Sequence, residues 1–303
     1  MTELDKALSL DFAGQLESEE ILKLSPLRRD ILRLSRSISD GDIAFAIGLS
    51  EELLERSRSS GERDIEAEAR IRLDRALIGA VEESRVGAEL RWSAERLSSI
   101  HPGSSGHALA LLNLAGWHAS SGESMMALAI HSEITPIAGH PNDLIALSRL
   151  EVGRLHLGLG DDESALRHLW SSASRFESEG MKGEEAIALL EWLDIALDIL
   201  SPEARTMDEV IRDAAPRDPK TRTSAMAHPE DASMVALRLA ETILEDPSGS
   251  ERPDLGLLVD AAFCLRSETL AQLLASKSAD IEDIEVVKWI QELNLNDLES
   301  DQS

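Results

Sequence analysis

The sequence predicts an all-α fold in which antiparallel helix hairpins stack side by side as an α-solenoid. Three observations predict it. Along most of the chain, apolar residues recur at the three- and four-residue spacing that places them on one face of a helix. Turn-forming residues interrupt these stretches at short intervals. The whole pattern then repeats with a period of about 40 residues, which indicates stacked supersecondary units.

The stretch 158–170 (GLGDDESALRHLW) shows the unit most clearly. Gly158 and Gly160 suit the C-terminus of a helix, where the chain often needs a left-handed residue. Asp161 or Asp162 can then cap the next helix. The apolar residues that follow have the spacing of one helical stripe: Ala165, Leu166, Leu169 and Trp170. The stretch therefore predicts two amphipathic helices joined by a tight turn.

In chain order, the sequence divides into four predicted parts. Residues 1–25 have a weak pattern and form an N-terminal cap segment, and residues 26–200 carry the repeated hairpins. Residues 201–230 hold a short helix and a proline-rich linker or loop. Residues 231–303 consist of helices that cap the array or continue it.

The bounds of the helices in the repeated part are predicted from the turns between them. Pro26 opens the first helix, because proline is tolerated in the first helical turn. The turns inside the first four hairpins fall at 39–42, 82–84, 121–122 and 158–162. The breaks between hairpins fall near Gly61, at 101–106 and at 140–143, and a fifth hairpin begins at Gly183.

Small residues mark the contact between the two helices of each hairpin. One follows each turn, at intervals of 42, 39 and 38 residues: Ala46, Ala88, Ala127 and Ala165. Twelve positions before the last three lie further small residues: Ala76, Ala115 and Gly153. Such pairs let two antiparallel helices approach closely. One hairpin has little core of its own, so stacking on its neighbours is what buries its apolar faces.

This pattern resembles the tetratricopeptide repeat family, most clearly in residues 105–178. The family pairs a small residue in its first helix with an alanine twelve positions later, and its turn often has the sequence found from Gly160 to Leu166. The repeats here are longer than the family's usual unit of about 34 residues. His118 and His156 stand where the family places an aromatic residue.

The resemblance implies that the first helices line a concave groove. Carrying the family's groove positions over gives ten candidate binding residues: Arg70, Leu73, Leu77, Leu109, Leu112, Asn113, Leu147, Leu150, Arg154 and Leu157. Such a wall is mostly apolar, with two arginines, and suits an amphipathic helix of a partner protein. Asp74 and Glu151 are acidic at positions where the family's carboxylate-capturing members carry cations, which disfavours capture of an acidic peptide C-terminus.

Two other interpretations of the groove residues stay open. These leucines can belong to the core, or the chain can fill its own groove. The C-terminal stripe of Ile281, Ile284, Val287, Ile290 and Leu293 predicts an amphipathic helix. That helix caps the array, lies in the groove, or joins two copies into a homo-oligomer.

Charge and composition limit the partners. The formal net charge is −27 and the isoelectric point is near 4.6, so attraction to nucleic-acid phosphates or to an anionic membrane is not expected. Cys264 is the single cysteine, which fits a reducing compartment. The N-terminus lacks the basic and apolar regions of a signal peptide, and no apolar run reaches the roughly 18 residues of a membrane span. We therefore predict a cytoplasmic protein.

Reactive chemistry is not indicated by the sequence. Seven of the eight histidines lie between residues 101 and 168, yet none forms the i, i+4 pair of a helical zinc site. Cys264 stands in an apolar run (AAFCL) and is interpreted as a core thiol. We find neither a glycine-rich phosphate loop nor a G-x-S-x-G turn. We expect no catalytic residue, no metal and no cofactor.

Two functional hypotheses follow. The first is a non-enzymatic scaffold or adaptor that binds a protein segment or helix in the concave groove. The second is a regulatory or sensor subunit that couples to a DNA-binding or catalytic partner, with residues 216–229 as its hinge. A third hypothesis, that the chain is an enzyme, is less favoured.

Overall fold

The structure is a computed structural model that describes residues 2–201 and 228–300, with side chains as far as residue 293. In these residues the chain forms fifteen helices and no strand, so the prediction of an all-α fold is confirmed. In order they are α1 (Glu3–Phe12), α2 (Ser18–Lys23), α3 (Pro26–Ser39), α4 (Ile43–Arg58), α5 (Ile65–Leu77), α6 (Glu83–Ile100), α7 (Ser105–Ser120), α8 (Ser124–His131), α9 (Asn142–Gly158), α10 (Asp162–Glu179), α11 (Lys182–Leu200), α12 (Pro229–Ile243), α13 (Pro253–Cys264), α14 (Glu268–Lys277) and α15 (Ile284–Ser300). Residues 202–227, which make up most of the predicted linker, lie outside the described part.

The chain divides into two compact units, residues 1–148 and 149–303, and their border falls within α9. In the first unit, each helix from α3 to α7 packs on the next along the chain, and α1 packs on α3. In the second unit, α10 packs on α11, and α11 packs on α12 and α13. The last helices, α13, α14 and α15, pack on one another. Stacked helix hairpins, as predicted, therefore build each unit. The predicted division into four parts stays a prediction.

One turn motif closes the first four hairpins. It uses Gly41, Gly79, Gly122 and Gly160, all in the left-handed region with φ between 74° and 78°. The amide of the residue after each glycine donates to a carbonyl five positions back, as in Asp161 N to His156 O at 2.9 Å. This is the Schellman motif, which satisfies carbonyls left open at a helix end. Asp161 then caps α10 by accepting from Ser164 N at 3.1 Å, as predicted.

The small residues after the turns are buried in three of the four hairpins. Ala46, Ala127 and Ala165 have no exposed surface. Ala88 is exposed, so its assignment was wrong, and Gly87 takes the buried place. A Cβ atom at Gly87 would lie 2.5 Å from the Trp117 ring. Helix α6 also begins four residues after its turn glycine, whereas α4, α8 and α10 begin two residues after theirs.

The N-terminal segment is more ordered than its weak pattern indicates. Leu4, Ala7 and Leu8 of α1 are buried. Asp5 is also buried, and its Oδ1 accepts a hydrogen bond from Gly106 N at 3.1 Å. Gly106 lies in the first turn of α7, where amides lack partners within the helix. A carboxylate 101 positions away in sequence therefore ties α1 to the third hairpin.

Candidate partner-binding surface

The structure places the ten predicted groove residues on three helices. In the first unit they are Arg70, Leu73 and Leu77 on α5, Leu109, Leu112 and Asn113 on α7, and Leu147 on α9. In the second unit they are Leu150, Arg154 and Leu157, all on α9. Since the border between the units separates Leu147 from Leu150, each group is described by itself.

Two of the ten do not belong to an accessible surface. Leu73 is 2% exposed and Leu150 is 5% exposed, so both are core residues. Helix α5 buries residues on several of its sides, including Ala69, Ile71 and Leu73. The assignment of these two leucines to a groove wall is therefore corrected. Leu77, in contrast, is 55% exposed.

We give the name α5–α7 face to the remaining first-unit residues on α5 and α7, together with Asp74. Its members are Arg70, Asp74 and Leu77 on α5, and Leu109, Leu112 and Asn113 on α7. The spacing of i, i+4 and i+7 puts the three α5 residues on one side of that helix. Leu109 and Leu112 are half-buried. The Asn113 side-chain amide donates to the Leu109 carbonyl at 2.7 Å, so it is held against its own helix.

Arg70 and Asp74 form the polar centre of this face. The Arg70 Nε lies 3.9 Å from the Asp74 Oδ1, and the two side chains keep only 17% and 14% of their surface exposed. Burial raises the pKa of Asp74 to about 6, against the opposing effect of Arg70. The Arg70 Nε is buried and has no hydrogen-bond acceptor among the described residues. The pair is therefore poorly solvated and incompletely bonded, a condition found both at functional sites and in structural ion-pair networks.

The second-unit group offers less accessible surface to a partner than the α5–α7 face does. Arg154 donates to Glu151 at 2.6 Å and to Glu191 at 3.0 Å, so its charge is already neutralised. Leu157 is 46% exposed and is the apolar residue that remains accessible there.

A cavity in the second unit was missed by the sequence analysis. It encloses about 380 Å³ among α10, α11 and α12, with Trp170 and Met234 in its wall. Arg238 bonds to Glu185 and, at 3.0 Å, to Glu177. Burial raises the pKa of Glu185. No sequence pattern links these residues, because Arg238 lies more than fifty positions after both carboxylates.

The histidines have structural partners. His118 Nδ1 bonds to Glu123 at 2.5 Å, and His156 Nδ1 lies 3.2 Å from Asp161. Both pairs close the same turn in successive hairpins, five positions apart, so they are equivalent by repeat. Over residues 2–201 and 228–293, no three His, Cys, Asp or Glu side chains come together as a metal site.

His107, in the first turn of α7, and His140, in the loop before α9, are in contact within the first unit. Both are 6% exposed, and the His140 Nε2 lies 3.1 Å from the His107 Nδ1. The His140 Nδ1 accepts from Thr135 N at 3.2 Å, so the proton of His140 is on Nε2 and is donated to His107. The His107 Nδ1 also accepts from Gly103 N at 3.3 Å. Both rings are therefore neutral, and protonation of His107 at Nδ1 would break two hydrogen bonds.

We expect the first unit to lose stability in mild acid. Burial, together with His140, lowers the pKa of His107 to about 4, whereas an unfolded histidine titrates near 6.5. Between these values the unfolded state binds the proton and the folded state does not. The free energy of unfolding therefore falls as the pH drops from about 6.5 to 4, by up to about 1.4 kcal/mol per pH unit.

Urea unfolding of wild type and His107→Asn at pH 7.5 and pH 5 checks this. The free energy of unfolding should fall less between pH 7.5 and pH 5 in His107→Asn than in wild type. Burial also lowers the pKa of His168 to about 4, but His168 is present in both proteins and cancels in the comparison. The exposed His101 supplies the control variant His101→Asn. Equal losses in wild type and His107→Asn would contradict the assignment.

Cys264 is half-buried rather than fully buried. Burial, with the nearby Asp260 and Asp198, raises the pKa of its thiol. A raised pKa leaves little of the reactive thiolate at neutral pH.

In the part of the chain that the structure describes, no helix has the length and apolar character needed to cross a bilayer.

Comparison with known proteins gives a limited result. No protein-family profile matches the chain, and no curated protein matches it. Eight solved chains match. One is a Rap protein crystallised in complex with the competence and sporulation factor, at 14% sequence identity and a TM-score of 0.49. The match covers 97% of this chain and 80% of that one. The complex is a property of that protein, and a similarity this distant carries no conclusion about what this chain binds.

Proposed function

We propose that this chain is a non-enzymatic interaction module of the tetratricopeptide repeat type, which binds a segment of another protein on the α5–α7 face. The repeated hairpins support the repeat type. Gly153 illustrates this, because a Cβ atom there would lie 2.8 Å from the Leu169 side chain, so a small residue is required between α9 and α10. As a scaffold or adaptor for protein segments, the chain would act in the cytoplasm, where its partner would also be found.

The observation that carries the proposal is the incompletely bonded Arg70–Asp74 pair among apolar side chains. A partner helix with an apolar stripe would cover Leu77 and Leu112, which removes apolar surface from water at about 25 cal/mol per Å². A carboxylate or carbonyl on the same helix would accept a hydrogen bond from the terminal nitrogens of Arg70, whose side chain keeps 17% of its surface exposed. A hydrogen bond to a charged group contributes roughly 1.5–3 kcal/mol. The face therefore fits an amphipathic helix that carries one acceptor next to its apolar stripe.

The regulatory or sensor hypothesis depends on residues 216–229 as a hinge. Only residues 228 and 229 of that segment are described. The α5–α7 face therefore supports the scaffold hypothesis alone.

The function is tested by crosslinking and affinity capture with the full chain and two surface variants, Leu77→Asp and Leu112→Asp. We expect each to reduce partner capture at least tenfold, because a new charge opposes an apolar contact. Leu157→Asp, an exposed leucine of the second unit, is the matched control and should leave capture unchanged. Unaltered capture by both face variants, or an equal loss in the control, would contradict the proposal.

A further inference from the structure

A groove between α2 and α3 in the first unit is lined by arginines. Arg29, Arg33 and Arg36 follow the i, i+4, i+7 spacing on one side of α3. Apolar residues complete the wall of the groove: Ile21, Pro26 and Leu32. We call this site, of about 440 Å³ and open to the surface, the arginine groove.

The three arginines differ in how far they are neutralised. Arg36 bonds to Asp11 through two nitrogens, with Nε to Oδ2 at 2.9 Å. Arg33 donates to Asp30 at 3.2 Å, but Asp30 is shared with Arg56, which is closer at 2.8 Å. The described residues provide Arg29 with no ion pair, and its Nε is buried without an acceptor. A buried donor left unbonded costs roughly 1–3 kcal/mol, more when it is charged.

This cluster is opposite in sign to the rest of the chain. The protein has 57 acidic and 30 basic residues. Three arginines around one groove, with Asp30 the acidic residue in its wall, form a local positive site on a strongly negative molecule. Such a site attracts an anionic group while the surrounding surface repels it, so binding depends on correct placement of the anion.

Asp11 shows which anion the site accepts. Its carboxylate already meets the Arg36 guanidinium in a side-on fork, the geometry in which arginine recognises carboxylates. Arg29 lies two helical turns from Arg36 and has no ion pair among the described residues; because its Nε is buried, a ligand would meet its terminal nitrogens. Because apolar residues share the groove, its ligand must also carry apolar side chains.

We propose that the arginine groove binds an acidic segment of another protein, with a carboxylate on Arg29 and Arg33 and a neighbouring apolar side chain against Ile21 and Pro26. The groove is built by α2 and α3 and shares no residue with the α5–α7 face. It is a second interaction surface, and it stands or fails independently of the first.

A display library of random twelve-residue peptides tests this with the full chain as target. Parallel selections use wild type, the double variant Arg29→Gln/Arg33→Gln and the control Arg85→Gln/Arg167→Gln. Arg85 and Arg167 are exposed and lie outside the groove. We expect acidic peptides with at least one large apolar residue to be enriched on wild type and on the control, and to be lost on the groove variant.

An enriched peptide is then synthesised and its Kd measured by fluorescence anisotropy. The groove variant should bind it at least tenfold more weakly, and binding should weaken as salt rises from 50 to 300 mM, about a halving of the screening length or more. Circular dichroism establishes that the groove variant is folded. Leu112→Asp should keep full affinity for the peptide, which separates this site from the α5–α7 face.

Three results would overturn the proposal that the arginine groove binds an acidic segment. One is a selection that yields no acidic peptides on wild type. Another is an acidic peptide that binds Arg29→Gln/Arg33→Gln within twofold of wild type. The third is a peptide whose affinity falls with Leu112→Asp and not with the groove variant, which would place acidic ligands on the α5–α7 face instead.

Discussion

Replacing Gly103 with alanine should destabilise the first unit by about 2–5 kcal/mol. Gly103 has a φ of 76°, which costs an L-residue roughly 1–2 kcal/mol. A Cβ atom at this position would also lie 2.1 Å from the Ala138 carbonyl oxygen, far inside van der Waals contact. The atom it meets is backbone, so no side-chain rotation relieves the clash. The loop that contains Gly103 and the loop that contains Ala138 must therefore separate.

Gly122→Ala is the matched control for this prediction. Gly122 has almost the same backbone conformation, with a φ of 78°, but its Cβ atom would have nothing within 4 Å. The Gly122→Ala substitution should lower the free energy of unfolding only by the cost of a positive φ for an L-residue, about 1–2 kcal/mol. Urea unfolding followed by circular dichroism measures both variants. Equal losses at the two glycines would mean that the loops are not in close contact.

Leu73→Asp should cost at least about 4 kcal/mol and leave the first unit largely unfolded. Leu73 is 2% exposed, so the variant loses apolar burial and places a charge in the core. Leu77→Asp, one turn later on the same helix, should change the free energy of unfolding by no more than about 0.5 kcal/mol, because Leu77 is 55% exposed.

This pair separates the core of α5 from its binding face. Thermal unfolding and far-ultraviolet circular dichroism report stability, and capture of the partner reports binding. Leu77→Asp should fold and fail to bind, whereas Leu73→Asp should fail to fold. A folded Leu73→Asp protein with a wild-type melting temperature would show that Leu73 lies on the surface, as the resemblance to the tetratricopeptide repeat family implies.

Features set by local chemistry were predictable from the sequence. The turn at Gly160 and the cap at Asp161 follow from residue types a few positions apart, and the structure has both. Period and turn spacing together predicted the stacked hairpins. Ala88 was misplaced by one position, in the hairpin that has two more residues between its turn glycine and its second helix than the other three have.

Features set by distant contacts were not predictable. Leu73 and Leu77 have the same residue type on the same helix, and only the neighbouring helices decide which one is buried. Asp5 meets Gly106 across 101 positions, and Arg238 meets Glu177 across 61. The arginine groove could not be predicted from the sequence, because the spacing of its arginines is also that of an ordinary solvated helix face.

The central claim is that a partner binds on the α5–α7 face. Hydrogen exchange of the full chain, with and without the partner found by crosslinking, tests it most directly. Bound partner should slow exchange in residues 70–77 of α5 and 109–113 of α7. Unchanged exchange in both segments, with protection appearing elsewhere in the chain, would contradict it.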